Sequence, residues 1–374
     1  MILLDGRPLD GGSSVRGIGS YVRGLLAGFA ELGRAGDIEL LLADGQLEPR
    51  EATAAGVRAA EPRLRVLHPT LQPLADPRLV RRAIRRVRPA LYHAVEWGQP
   101  SRPGIPVVVT VHDLIPFVFP RDYPWVRRSH IPALRRLRRA DHVITPSQAT
   151  ADDVHRLGRV AASRISVIAE GVSAGFAPPP EDDVTAVLER LGVQRPFVLA
   201  VGTFDPRKRI RLLAEVMARV RQTHDIRLVI AGDQGTFAAT VDDTLRSAGV
   251  AEHAHCTGLV SRSDLVALYT AARCLVFTSA YEGFGLPPLE AMACGTPVAM
   301  FRNSSLPEVA GPASLVEPDG DAAAMVGALI AILAQDRTTH ADDRRAWASR
   351  FTWRHTAAAT LGVYEQILAQ RLPM

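Results

Sequence analysis

The sequence predicts an α/β protein with two domains, each built on a parallel sheet. The chain has 374 residues, more than one ordinary α/β core needs, and 47% of them are hydrophobic, enough to fill two cores. Short apolar runs alternate with amphipathic helical patterns throughout, as in repeated β-α-β units. The stretch 170–181, EGVSAGFAPPPE, combines glycines with three consecutive prolines and predicts a linker between the domains.

The first domain is expected to span 1–172. Its candidate strands are short apolar runs, and its candidate helices carry apolar residues at helical spacing. The strands are predicted at 2–4, 39–43, 64–67, 90–93, 107–111, 142–145 and 165–168, and the helices at 18–33, 77–87, 126–140 and 147–157.

The second domain is expected to span 173–353 and repeats the plan. Its strands are predicted at 197–201, 227–231, 253–256, 274–277, 298–300 and 314–316. Its helices are predicted at 183–191, 209–221, 236–248, 262–271, 287–293, 321–333 and near 339–349, and a last helix follows at 354–370. Two such domains place ligands at the carboxyl ends of their strands.

Composition and targeting signals favour a cytoplasmic protein. No segment approaches the roughly 20 uninterrupted apolar residues of a membrane-spanning helix. The N-terminus, MILLDGRPLDGG, has no basic region before its apolar run and predicts a strand, not a secretory signal. The three cysteines, Cys256, Cys274 and Cys294, have no metal-ligand spacing, so we predict reduced core residues.

Basic charge is concentrated in the first half of the chain. Residues 1–176 carry 25 arginines against 17 acidic residues, a net charge of +8, whereas the remainder carries 19 basic and 22 acidic residues, a net −3. Two predicted helices, over 78–88 and 127–140, hold most of this excess. They are either solvated helix faces or contacts for an anionic membrane surface or acceptor. Nucleic acid is not favoured, because no aromatic residues interleave with the arginines.

The strongest chemical motif is SAYEGFGLPPLEAMACGTPV, at 279–298. It follows a predicted strand and opens a helix whose first turn is preset by Pro287 and Pro288. The glycines before the prolines allow close backbone approach, and the N–H groups at the helix start attract an anion. Glu282 and Glu290 flank this site and suit hydroxyl groups on either side of a diphosphate. The alternative is an ordinary glycine-rich turn with two solvated glutamates.

Two other motifs follow predicted strands. VGTFDPRKR, at 201–209, places Arg207 and Lys208, the only lysine of the chain, where they would neutralise a departing diphosphate. A solvent-facing position remains the alternative for Arg207. VVVTVHDLIPF, at 107–117, ends a strand in His112 and Asp113. Asp113 either binds sugar hydroxyls or caps the next segment.

The glutamate spacing Glu282-x7-Glu290 within EGFGLPPLEAMACGTPV closely resembles the signature of glycosyltransferase family 4, retaining enzymes of the GT-B fold that use nucleotide sugars. The resemblance implies two Rossmann-like domains facing a central cleft, an acceptor-side domain and a nucleotide-sugar domain. It implies that Glu282 contacts the donor sugar and Glu290 the ribose. It also implies backbone N–H contacts to the diphosphate and sugar from Gly283, Phe284, Gly285 and Leu286.

The family resemblance extends to other parts of the chain. Lys208 lies six residues after Gly202, the spacing of the family's lysine, and His112 matches a histidine that contacts the donor sugar. The loop with Gly17 and Gly19 resembles one that reaches the donor phosphates, and Arg16 is a candidate contact for either the acceptor or a phosphate. The ending 351–368 resembles the family's last helix, which packs back on the N-terminal domain, here over 354–374.

The predicted activity is retaining transfer of a hexose from a nucleotide diphosphate sugar to a glycan, a lipid-linked sugar or a natural product. The pattern favours GDP-mannose and leaves UDP- and dTDP-sugars open. No metal or other cofactor is expected, because Lys208, Arg207 and the helix start would stabilise the leaving diphosphate. The DGD sequence at 319–321 resembles a metal-binding D-x-D pattern, but Asp321 is expected to cap a helix instead. Glu308 either supports the nucleotide or caps a short helix.

Two alternative activities remain. One is a sugar-nucleotide hydrolase or epimerase of the same fold. The other is a nicotinamide-dependent oxidoreductase, which the first loop disfavours because Gly17-Ile18-Gly19 has no third glycine at Val22.

Overall fold

The structure is a computed structural model that describes residues 1–9, 17–43, 52, 55–60, 72–96, 104–203, 205–233 and 235–371. The chain divides into two compact units. The N-terminal unit comprises Met1–Gly171 and Thr352–Met374, and the C-terminal unit comprises Val172–Phe351.

The N-terminal unit contains a seven-stranded parallel sheet in the order β3-β2-β1-β4-β5-β6-β7. Most of its strands are buried on both faces, which is why they appear in the sequence as continuous apolar runs. The predicted strand at 64–67 lies outside the described residues. The strands are β1 Ile2–Asp5, β2 Ile38–Leu41, β3 Arg58–Ala59, β4 Leu91–Ala94, β5 Val107–Thr110, β6 His142–Thr145 and β7 Ile165–Val167.

The C-terminal unit contains a six-stranded parallel sheet in the order β10-β9-β8-β11-β12-β13. This is the doubly wound order, in which the direction of winding reverses between β8 and β11. The strands are β8 Phe197–Val201, β9 Arg227–Ala231, β10 Ala254–Gly258, β11 Cys274–Phe277, β12 Val298–Arg302 and β13 Leu315–Pro318.

Helices cover both sheets. In chain order they are α1 Gly17–Glu31, α2 Gln72–Val87, α3 Ile115–Val118, α4 Pro124–Leu137, α5 Gln148–Gly158, α6 Glu181–Leu191, α7 Ile210–Val220, α8 Ala238–Ser247, α9 Arg262–Ala271, α10 Leu286–Ala293, α11 Leu306–Val309, α12 Ala322–Leu333, α13 Ala341–Ala348 and α14 Trp353–Ala369. Among the described helices, none has both the length and the apolar character needed to span a bilayer.

Each face of the N-terminal sheet has its own core. Helices α1 and α14 pack on one face with Tyr21, Leu25 and Tyr364, and α2, α4 and α5 pack on the other. Glycine permits the close approach of α1 to α14, because a Cβ at Gly24 would lie 2.0 Å from the Trp353 ring. The last helix therefore completes the N-terminal unit.

The structure changes two expectations, one about a cysteine and one about the linker. Cys274 and Cys294 are buried, but Cys256 is exposed, because β10 is the edge strand of its sheet; its predicted place in the core was wrong. The predicted linker at 170–181 has no helix or strand before Glu181, and it is packed rather than free, since Phe176 is buried 6.2 Å from the Tyr269 ring.

Candidate active site

Two loops of the C-terminal unit meet where the winding of the sheet reverses. One follows β8 and contains the short 3-10 turn Pro206–Lys208, and the other follows β11. The Thr278 hydroxyl donates to the Lys208 carbonyl at 2.8 Å, and the Ala280 amide donates to the Arg207 carbonyl at 2.7 Å. These bonds fix the loops to each other, at the sheet edge where doubly wound proteins bind ligands.

Lys208 is buried and points at Glu282. Its Nζ donates to Glu282 Oε1 at 2.5 Å and lies 4.4 Å from the centroid of the Phe277 ring. The side chain crosses Gly202, where a Cβ would lie 3.3 Å from Nζ and where φ is +131°. Burial, opposed by the charge of Glu282, lowers the pKa of Lys208 below its ordinary value.

Arg207 reaches the same carboxylate. Its guanidinium donates to Glu282 Oε1 at 2.7 Å and to the Tyr281 carbonyl at 3.1 Å, and it pairs with Asp205 at 3.3 Å. Burial alone would raise the pKa of Glu282, but Arg207 and Lys208 together outweigh it and lower that pKa from 4.5 to about 2. The carboxylate is therefore ionised at neutral pH and holds both cations.

The loop before α10 is shaped for close backbone approach. Gly285 precedes the helix with φ +119°, and a Cβ there would lie 2.9 Å from Val309 Cγ2. Prolines occupy the first turn of α10, as the sequence predicted. Pro287 and Pro288 carry no N–H group, so the first turn of α10 offers the Leu286 amide, which has no acceptor within the helix, and the helix dipole polarises this end to receive an anion. Gly283, Phe284 and Leu286 belong to the same loop and helix start.

Two serines that the sequence analysis did not single out hold this loop. Ser304 Oγ accepts from the Glu282 amide at 2.9 Å. Ser305 Oγ lies 3.0 Å from the Glu282 carbonyl and 2.6 Å from the Phe284 carbonyl, to which it donates. Both serines lie in NSSLPEV, between β12 and α11, and they fix the backbone of Glu282 while Arg207 and Lys208 fix its side chain.

Glu290 lies on α10 itself, beyond the polarised first turn. Its Oε2 accepts from the Tyr269 hydroxyl at 3.1 Å. Burial, and then the charge of Glu290, raise the pKa of Tyr269 well above its ordinary value, so the phenol stays protonated and donates. The structure thus orients Glu290, and its contact with a ribose stays a prediction.

The remaining predicted site residues lie in the N-terminal unit. His112 follows β5, with Nδ1 3.1 Å from Glu170 Oε1 and Nε2 3.1 Å from the Val95 carbonyl. The Tyr21 ring packs edge-on against it at 4.7 Å. Both ring nitrogens face acceptors, so Glu170 and Tyr21, which the sequence did not reveal, hold the imidazole in place.

Gly17 and Gly19, which were predicted to belong to a loop near the donor phosphates, lie at the start of α1. Gly17 is the first residue of that helix, and Gly19 is buried in its first turn. Arg16 lies outside the described residues, so the structure places only the helical part of this predicted phosphate contact.

The acidic residues near helix starts have structural partners. Asp113 accepts from the Ile115 amide at 3.0 Å, although the N-cap position of α3 is Leu114, and Asp321 caps α12 by accepting from the Ala324 amide at 3.0 Å. Asp319 forms two hydrogen bonds with Arg209, the shorter at 2.5 Å. Glu308 lies in the first turn of α11. In the described part of the chain, no three His, Cys, Asp or Glu side chains are grouped to hold a metal ion.

Comparisons with known proteins agree with this geometry. A family model described as Glycosyltransferase Family 4 matches residues 15–176, and one described as Glycosyl transferases group 1 matches residues 189–350. The O-antigen chain mannosyltransferase B of Escherichia coli is 30% identical over 299 residues, which cover 78% of each chain. The chain belongs to glycosyltransferase family 4.

A second relative and a solved structure are also similar to this family 4 glycosyltransferase. The MMP alpha-(1->4)-mannosyltransferase of Mycolicibacterium hassiacum is 30% identical over 292 residues, 73% of this chain and 68% of that one. The structure of Anabaena Alr3699/HepE in complex with UDP-glucose matches with a TM-score of 0.75 at 18% identity, covering 98% of this chain and 99% of that one. The glycosyltransferase therefore has the GT-B fold, with the two parallel-sheet units described above.

Proposed function

We propose that this glycosyltransferase moves a hexose from a nucleotide diphosphate sugar to a glycan hydroxyl with retention of anomeric configuration. The observation that carries the proposal is the convergence of Arg207 and Lys208 on Glu282 beside the first turn of α10. The buried Lys208, the partly buried Arg207 and a helix start form a positively polarised place for a diphosphate. A carboxylate held at the same point is within reach of a sugar joined to that diphosphate.

In the proposed mechanism the cations stabilise the leaving group. Negative charge develops on the nucleoside diphosphate as its bond to the anomeric carbon breaks, and Lys208 and Arg207 neutralise it. The diphosphate displaces Glu282 from the cations, and Glu282 then accepts hydrogen bonds from sugar hydroxyls. Glu290 accepts from the ribose, and the role of His112 at the donor sugar stays a prediction. We propose that this chemistry proceeds without a metal ion.

We propose a mannose nucleotide as the donor, because two relatives at 30% identity are named mannosyltransferases, and we propose GDP-mannose because the sequence motifs resemble those of enzymes that use it. A UDP-sugar is the second candidate, because a solved structure with this fold contains UDP-glucose. For the acceptor we propose a hydroxyl of a growing glycan, as the name of the Escherichia coli relative suggests.

Thermal denaturation with separate nucleotide sugars tests the donor. GDP-mannose should raise the midpoint of the purified chain more than UDP-glucose or dTDP-glucose, and free mannose should not raise it. No shift with any nucleotide sugar would contradict the proposal. NMR of the transfer product, made with a panel of hexosides, then reads the anomeric configuration. Faster release of free sugar than transfer would favour the hydrolase, and inversion would contradict retention.

A further inference from the structure

Helix α4 carries an outward row of arginines and apolar residues on the N-terminal unit. The row consists of residues spaced by three or four positions along and just after the helix, and we call it the α4 stripe: Arg127, Arg128, Ile131, Leu134, Arg135 and Arg138. The helix buries Ala133 and Leu137 against the sheet instead. The arginines of the stripe therefore face away from the core, whereas Leu134 lies at the inner margin of the stripe and packs, partly buried, against the core.

A groove of about 530 Å³ runs between the α4 stripe and the end of α5. Its apolar wall is formed by Ile131, Leu134 and Leu157, and its basic wall by Arg135, Arg138 and Arg159. Such a groove suits a ligand with an apolar part and an anionic head. Arginine stems can lie along apolar surface while their guanidinium groups bind phosphate oxygens.

The first turn of α4 exposes two large apolar side chains. Trp125 is 79% exposed and Val126 is 43% exposed, and Trp125 has the largest exposed fraction of any large hydrophobic residue in the described part of the chain. Tryptophan is enriched at the boundary between lipid and water, where its ring is buried among acyl chains and its N–H remains hydrated. An exposed Trp125 beside the stripe therefore indicates a lipid surface rather than free anions.

The basic charge of this face is not neutralised within the fold. No ion pair involves the four arginines of the α4 stripe in the described part of the chain, whereas Arg156 on α5 pairs with Asp153. Helix α2, which packs on the same face of the sheet, exposes four more arginines, Arg81, Arg82, Arg85 and Arg86. The charge is complementary to an anionic bilayer.

We propose that the α4 stripe, with the groove beside α5 and Trp125 at the helix start, docks the enzyme on the surface of an anionic lipid bilayer. Arginines bind lipid phosphates, and Trp125 enters the boundary between headgroups and acyl chains. The contact is peripheral and does not depend on which sugar the C-terminal unit binds.

Sedimentation of the full chain with lipid vesicles tests this surface. The protein should bind vesicles that contain about 30% phosphatidylglycerol in phosphatidylcholine, and it should not bind pure phosphatidylcholine. Raising NaCl from about 0.1 M to about 0.5 M should release it, because screening shortens the range of the attraction. The double variant Arg135→Glu/Arg138→Glu should weaken binding by at least about 25-fold, roughly fivefold for each charge. Trp125→Ala should weaken it severalfold.

The matched control is Arg246→Glu/Arg354→Glu, which makes the same change of net charge on α8 and α14 and should bind vesicles as the wild type does. Thermal midpoints within a few degrees of wild type would show that each variant is folded. Equal binding of both double variants, or no binding of wild type to anionic vesicles, would overturn the proposal. So would a change of oligomeric state in Arg135→Glu/Arg138→Glu without vesicles, which would assign the surface to a second protein chain. Nucleotide binding by all variants should be unchanged, so this result is independent of the proposed activity.

Discussion

Replacing Glu282 with glutamine should tighten the binding of a nucleoside diphosphate while it strongly slows sugar transfer. Without a donor, Glu282 holds both Arg207 and Lys208 through Oε1, at 2.7 Å and 2.5 Å. An incoming diphosphate has to take these cations from the carboxylate. Glutamine keeps an acceptor oxygen but no charge, so it competes far less.

The structure sets the size of this effect. The pKa of Glu282 is lowered from 4.5 to about 2, which corresponds to about 3 kcal/mol of stabilisation of the ionised form. This is a net value, because burial opposes the effect of the two cations, and its complete loss would correspond to about 300-fold in diphosphate affinity. The side chain is 14% exposed and gains new hydroxyl partners when the sugar is present. We therefore expect GDP affinity to rise by about tenfold, since each 1.4 kcal/mol is tenfold.

Isothermal titration of wild type and Glu282→Gln with GDP and with UDP measures this change at neutral pH. Glu290→Gln is the matched control, because it removes the same charge from a residue that contacts Tyr269 instead of the cations. It should not tighten binding. Transfer by Glu282→Gln should fall by about 100-fold or more, because its amide cannot replace the carboxylate at the sugar. Unchanged or weaker diphosphate binding in Glu282→Gln would refute the competition.

Three further predictions concern single residues. Lys208→Ala should lower kcat/KM by about 100- to 1000-fold, Lys208→Arg should recover part of it, and equal kcat/KM for Lys208→Ala and wild type would exclude the role. Burial lowers the pKa of His93 to about 3, so the neutral ring should stabilise the fold fully above pH 6.5 and the free energy of unfolding should fall by up to about 5 kcal/mol as the pH drops to 3. Denaturant titrations should show a weaker pH dependence in His93→Gln, and an identical dependence would contradict this origin. Gly24→Ala should lower the free energy of unfolding by about 1 to 3 kcal/mol, because its Cβ would overlap the Trp353 ring. Gly362→Ala on α14 is the control, because a Cβ there meets open space and should not destabilise the fold. Equal thermal midpoints for the two variants would show that α1 tolerates the methyl group.

The parallel sheets were predictable from the sequence because their strands are buried. Four strands, β6, β8, β9 and β11, have the predicted bounds, since each is built on a short apolar run, with a polar residue only at the ends of β6 and at the start of β9. Helix α2 begins at Gln72, five residues before the predicted start, because the backbone continues as a helix across Pro77 instead of starting there. Cys256 shows the limit of composition, since its exposure depends on which strand forms the sheet edge.

The motif residues of the site were found from the sequence, but their partners were not. Arg207 and Glu282 are 75 positions apart, and they meet because β8 pairs with β11. That pairing depends on strand order, which local patterns do not determine. Ser304 and Ser305 support the Glu282 loop for the same reason, from the end of the neighbouring β12. Glu170, which orients His112, lies in a segment whose prolines and glycines suggested only a linker.

The phosphate-binding role of Lys208 is tested most directly by comparing GDP with guanosine, and UDP with uridine, on wild type and Lys208→Ala by titration calorimetry. If Lys208 and Arg207 bind the phosphates, wild type should prefer the diphosphate strongly, and Lys208→Ala should lose most of that preference while it still binds the nucleoside. An unchanged ratio of diphosphate to nucleoside affinity in the alanine variant would contradict the account.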